Sequence, residues 1–80
     1  MYKVYILKSE RNGKLYIGYT EDLEIRLLAH NSGKVRSTKA HKPYKLIYKE
    51  EYLCKTEARK REIFLKSGKG REHLKSKLPM

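Results

Sequence analysis

The stretch Leu15–Thr20 reads LYIGYT. Its β-branched and aromatic residues favour a strand, yet a glycine sits between two tyrosines. Glycine weakens a strand interior and marks a place where a side chain is unwanted. Upstream, Tyr2–Leu7 reads YKVYIL, a second strand, and Asn12-Gly13 between the two is a strong turn signal. The pair predicts an antiparallel hairpin, whose register decides which side chains share a face. A two-residue Asn12-Gly13 turn sets Arg11 opposite Lys14, so facing residue numbers sum to an odd total. Lys3, Tyr5 and Leu7 then lie on one face with Tyr16 and Gly18, while Val4, Ile6, Leu15 and Ile17 make an apolar core face. The gap over Gly18, beside the Tyr16 phenol, is a place for substrate.

The rest of the chain extends this frame. Thr20 or Asp22 can cap a helix through TEDLEIRLLAHNSG, with Glu21 and Asp22 suited to its positive first turn and Gly33 closing it. At helical spacing Leu23 and Leu27 form a stripe with Arg26 and His30 on its edge, and Ile25 and Leu28 carry apolar character further round, which predicts a well-covered helix. Lys34–Lys42 (KVRSTKAHK) reads as a basic loop, and Pro43 opens a third strand over Tyr44–Tyr52. Thr56 caps a second helix, TEARKREIFLKS, which Gly68 stops; Gly70–Leu78 is a short last helix before Pro79. The order β-β-α-β-α-α is that of an α+β fold, a small antiparallel sheet with helices packed on it, in one domain over residues 1–80.

Composition narrows the function classes. Eighty residues bury only about 60% of their unfolded surface, so a shallow surface site is favoured over an internal cofactor pocket. Lys and Arg number 20 against 9 Asp and Glu, a net charge of +11 spread along the chain, which favours a polyanionic partner. Charge and aromatic content together point to nucleic acid rather than an anionic membrane surface. Cys54 is the only cysteine, so no internal disulfide forms, which fits a reducing cytoplasm; it reads as a small buried or half-buried residue rather than a nucleophile. The N-terminal apolar run is too short and too interrupted by charge for a signal peptide, and nothing approaches a membrane span.

Five residues carry candidate chemistry, and each has two readings. Tyr5 and Tyr16 are strand aromatics or working phenols. Arg26, on a covered helix edge, must meet an anion, whether a carboxylate or a phosphate. His30 is a helix-end cation or a site residue. Glu62 lies near Ala58 and Leu65 on the helical wheel; it pairs with Lys66 at i,i+4, or serves as a single ligand for Mg²⁺. His41 and His73 read as loop and surface residues without chemistry.

The ordered set decides between these readings. Val4-Tyr5, Tyr16-Ile17-Gly18, Arg26 ten residues after Tyr16, His30 four after Arg26, and Glu62 in a later helix together resemble the GIY-YIG nuclease family, over nearly the whole chain. The likeness is to its small stand-alone members, which are similar to the N-terminal nuclease module of the bacterial excision-repair subunit UvrC. The resemblance implies a three-stranded antiparallel sheet flanked by helices. It also implies a divalent-metal-dependent endonuclease acting on DNA, with structure-selective cutting in repair or recombination. By the same resemblance Tyr5, Tyr16, Arg26, His30 and Glu62 are catalytic, Gly18 is structural at the site, and Glu62 binds one Mg²⁺ or Mn²⁺. Two departures stand out: the first motif reads Lys3-Val4-Tyr5 without its glycine, and no asparagine follows Glu62. Lys34, Arg36, Lys39 and Lys42 in the loop, with Arg59, Arg61, Lys66 and Lys69 around the second helix, make the expected surface for DNA or RNA. The alternative is a basic nucleic-acid-binding module without catalysis.

Overall fold

The structure is a computed structural model that describes residues 1–78; the expected stop at Pro79 lies outside the described residues. Strand β1 (Tyr2–Ser9) leads into β2 (Leu15–Thr20) and helix α1 (Leu23–Asn31). A single 3₁₀ turn (Lys39–His41) precedes β3 (Tyr44–Tyr52), and helices α2 (Lys55–Lys66) and α3 (Gly68–Lys77) follow. The three strands pair antiparallel in the order β2-β1-β3, so the α+β class and the β-β-α-β-α-α order both stand.

The hairpin register sets Tyr5 opposite Gly18 and Leu7 opposite Tyr16, two residues out of the Arg11–Lys14 register but with the expected sharing of faces. The turn differs. Ser9 donates its N–H to the Lys14 carbonyl at 2.9 Å, so the loop spans residues 10–13 rather than Asn12-Gly13 alone. The Ser9 hydroxyl accepts from the Arg11 and Asn12 amides at 3.1 and 3.2 Å, and the Asn12 side chain accepts from the Lys14 amide at 3.0 Å. Gly13 closes the loop at φ 75, a left-handed conformation that favours glycine. The two added residues, Glu10 and Arg11, keep the parity, so the faces survive a wrong turn length.

β1 is the central strand, and its Val4, Tyr5, Ile6 and Leu7 are all buried. On one face Val4, Ile6 and Ile17 pack against Ala58 and Leu65 of α2, Leu74 of α3, and Leu78. On the other, Tyr5 and Leu7 pack with Leu23 of α1 and with Tyr44, joined by half-buried Tyr16, Leu27 and Leu46. The β1–β3 register shifts between Ile6 and Leu7, so Tyr48, Glu50 and Tyr52 face α2 while Tyr44 and Leu46 face α1. One extra residue in β3 thus lets even-numbered positions serve both layers.

Several expectations are corrected. Leu15 shares the core face but is exposed, because it lies at the end of an edge strand. Ile25 and Leu28 are 65% and 70% exposed, so α1 is covered along one stripe only. Asp22 caps α1, accepting from the Ile25 amide at 3.1 Å. Cys54 is exposed and occupies the N-cap position of α2 in place of Thr56. Ser67, not Gly68, ends α2; its hydroxyl then accepts from the Gly70 amide at 3.2 Å, so α3 starts at Gly68. No described helix is long and apolar enough to cross a membrane.

Candidate active site

β1 and β2 supply two phenols to the α1 face. Tyr5 projects over Gly18, and a Cβ on Gly18 would lie 2.6 Å from the Tyr5 hydroxyl oxygen and 2.7 Å from its Cζ. The space over the glycine is therefore filled by Tyr5 itself, which corrects the reading of that gap as a substrate vacancy. Tyr16, one residue pair along, remains half-buried, its ring 6.3 Å from that of Tyr5.

Helix α1 brings Arg26 and His30 to the same place, one turn apart. His30 is fully buried, its ring 4.8 Å from that of Tyr16 and 6.0 Å from that of Tyr44. The Tyr5 hydroxyl lies 3.1 Å from His30 Nε2, and His30 Nδ1 lies 2.8 Å from the Thr38 hydroxyl. Burial, and then the charge of Arg26, lower the His30 pKa, so the imidazole is neutral at neutral pH. A helix-end cation is thus not what this histidine is.

Arg26 faces the Tyr5 phenol and, secondarily, that of Tyr16, and these hold its pKa above the ordinary value. Burial raises the Tyr5 pKa; Arg26 opposes the rise, while the charges of Tyr16 and Glu62 add to it. Among the described residues no hydrogen bond or ion pair joins the α2 carboxylate of Glu62 to the other four. Glu62 is 16% exposed at its side chain, and its one ion pair among the described residues is with Lys66 at 3.6 Å. The helix-surface pair with Lys66 forms, and the carboxylate is largely covered. Among the described residues no three His, Cys, Asp or Glu side chains gather as a metal cage. One covered carboxylate with a loose cation partner suits an ion that keeps most of its waters, as Mg²⁺ does.

The basic surface divides. Lys34, Arg36, Lys39, Lys42, Arg59 and Lys69 are exposed, and Lys66 is exposed beside Glu62. Arg61 is not free: its Nε donates to Glu50 Oε1 at 2.8 Å, Nη2 donates to Oε2 at 3.1 Å, and its guanidinium lies 5.1 Å from the Phe64 ring centre. Its expected place in the nucleic-acid surface is corrected accordingly. His73, read as a bare surface residue, lies 3.1 Å from that guanidinium.

Two participants went unread in the sequence. Thr38 is buried within a loop whose neighbours are exposed and polar, and no sequence signal marks it. Glu50 binds Arg61 and accepts from the Tyr48 and Tyr52 hydroxyls, the latter at 2.7 Å. The alternation Tyr48-x-Glu50-x-Tyr52 could have marked that cluster.

Comparison with known proteins converges on one family. The GIY-YIG catalytic domain matches residues 1–75. A UPF0213 protein of Staphylococcus epidermidis is 42% identical over 73 residues, covering 90% of this chain and 88% of its own length. A UPF0213 protein of Streptococcus pneumoniae is 46% identical over 67 residues, covering 82% of this chain and 67% of its own. A UPF0213 protein of Bacillus halodurans, solved by solution NMR, superposes with a TM-score of 0.57 at 35% identity, over 95% of this chain and 84% of that one.

Proposed function

Since the chain belongs to the GIY-YIG family, a family of nucleases, we propose that it is a divalent-metal-dependent endonuclease that hydrolyses DNA phosphodiester bonds. The observation that carries this reading is the packing of Tyr5, Tyr16 and His30 together on one face of the sheet, with Arg26 one helical turn from His30. Phosphodiester hydrolysis needs a nucleophile held in line, neutralisation of the developing charge and a stabilised leaving oxygen.

Arg26, half-buried and without a carboxylate partner among the described residues, neutralises the phosphate. Tyr16 takes the proton of the attacking water, because it is the reachable phenol of the pair. Tyr5, buried and raised in pKa by that burial, stays protonated and orients its neighbours. Glu62 would hold a single Mg²⁺ or Mn²⁺, which would supply Lewis-acid stabilisation at the scissile phosphate. The exposed cations of the loop and of α2 and α3 bind phosphates along the strand without reading sequence. One domain over residues 1–80 carries both binding and cleavage.

The test is incubation with plasmid, branched and flapped DNA in Mg²⁺ or Mn²⁺. Cleavage is expected, lost in Arg26→Ala and in Glu62→Gln while DNA binding is largely kept. Binding with no cleavage of any substrate would replace this reading with that of a non-catalytic nucleic-acid-binding module.

A further inference from the structure

We propose that Thr38 is a positioning residue that fixes the polarity of the Tyr5 hydroxyl by holding His30 in its Nδ1–H tautomer. Thr38 is fully buried, whereas Arg36, Ser37, Lys39 and Ala40 around it are exposed. Its hydroxyl touches two groups, His30 Nδ1 at 2.8 Å and the Val35 carbonyl oxygen at 3.3 Å. A carbonyl only accepts, so Thr38 donates its one proton there and accepts from Nδ1–H. The neutral imidazole then has a bare Nε2, which accepts the Tyr5 proton across 3.1 Å.

His30 Nε2 is the one acceptor in hydrogen-bond reach of the Tyr5 proton among the described residues. The direction therefore runs from Tyr5 through His30 and Thr38 to the Val35 carbonyl. Tyr5 presents an acceptor to the site: it orients Arg26 or a water and does not itself donate to a phosphate oxygen. Thr38 also lies in the segment that bears Lys34, Arg36, Lys39 and Lys42, so the loop expected to hold the strand also sets the orientation of the phenol.

The tautomer itself is independent of catalysis; only the role given to Tyr5 rests on the nuclease reading. Long-range ¹H–¹⁵N correlation of the His30 ring tests it in the whole protein. The wild type is expected to show a protonated Nδ1 and a bare Nε2. Thr38→Val, which keeps the shape and loses the hydroxyl, should move the proton to Nε2 and slow plasmid cleavage about ten- to a hundredfold with DNA affinity held. Thr38→Ser should restore both. A protonated Nε2 in the wild type overturns the proposal even if Thr38→Val fails to fold, and so does an unchanged tautomer in a folded Thr38→Val. A protonated Nδ1 in a protein that cuts no DNA sustains the polarity of the chain and overturns the nuclease reading, and with it the role given to Tyr5.

Discussion

Replacing Gly18 with alanine tests the packing on which the site depends. The new Cβ would stand 2.6 Å from the Tyr5 oxygen and 3.2 Å from Tyr16 Cε1, whereas ordinary contact begins near 3.4 Å. Tyr5 must then retreat by about 0.8 Å, the difference between 2.6 and 3.4 Å. It has nowhere to go, being 1% exposed with its hydroxyl 3.1 Å from His30. Overpacking of a buried site costs about 1–3 kcal/mol, and weakening a buried hydrogen bond adds about 1 kcal/mol. Removing a glycine from the unfolded chain returns about 0.4–1 kcal/mol. The net expectation is a loss of roughly 2 kcal/mol, which for a domain of this size is a fall in Tm of about 8–16 °C. Two other glycines calibrate it. A Cβ on Gly68 meets nothing within 4 Å, so Gly68→Ala should be neutral or slightly stabilising. A Cβ on Gly70 would lie 1.9 Å from the Phe64 carbonyl oxygen, a backbone atom, so Gly70→Ala should cost most. Thermal and denaturant unfolding followed by far-UV circular dichroism gives the order. A Gly18→Ala protein as stable as Gly68→Ala would refute the claim that Tyr5 fills this space.

Tyr5→Phe strands the buried Nε2 of His30 and should cost about 1–3 kcal/mol, whereas Tyr16→Phe, at a half-buried position, should leave stability near wild type while abolishing cleavage; denaturant midpoints and plasmid cutting separate the two. Glu50 is disfavoured in its charged form by burial, but hydrogen bonds from Arg61, Tyr48 and Tyr52 outweigh this and lower its pKa from 4.5 to about 2. Its contribution, on the order of 2–3 kcal/mol, is present above pH 4.5 and lost as pH falls toward 2, and unfolding measured across that range should show a slope that Glu50→Gln removes. Four phosphate contacts from Lys34, Arg36, Lys39 and Lys42 give a slope of about −3.6 in log affinity against log salt, so affinity for duplex DNA should fall roughly a hundredfold between 50 and 200 mM salt. Lys34→Ala with Lys39→Ala should halve that contribution; a flat salt response would exclude the loop from binding.

The parts of the fold that could be read were those written as local periodicity. Period-2 alternation fixed the faces of Tyr5, Gly18 and Tyr16 although the turn was misplaced, because residues 10–13 add an even number of positions. Alternation reports a face and not what covers it, which is why Leu15 emerged exposed at the end of an edge strand. Ile25 and Leu28 failed in the same way: helical apolarity was legible, but a sheet covers one stripe of a helix. Arg61 was counted with the free cations because its partner Glu50 is eleven residues away on another element. Thr38 was illegible for a stronger reason. A buried hydroxyl in a basic loop depends on where His30 arrives, and nothing local encodes that.

A chain this small has one strand with both edges paired and both faces covered, and that strand is β1. Core and site must therefore share it: Val4 and Ile6 anchor α2 and α3 on one side while Tyr5 anchors the polar chain on the other. Burying that chain is tolerated because each link has a partner; among the described residues no buried side-chain nitrogen or oxygen lacks one. The two tyrosines separate for the same topological reason. The one on the central strand is locked in place and can orient but cannot reach a substrate directly. The one on the edge strand keeps access to solvent and can exchange a proton. On the proposed nuclease reading, one phenol would supply rigidity and the other reactivity, as preorganised catalysis requires, and the difference in their burial follows from strand order.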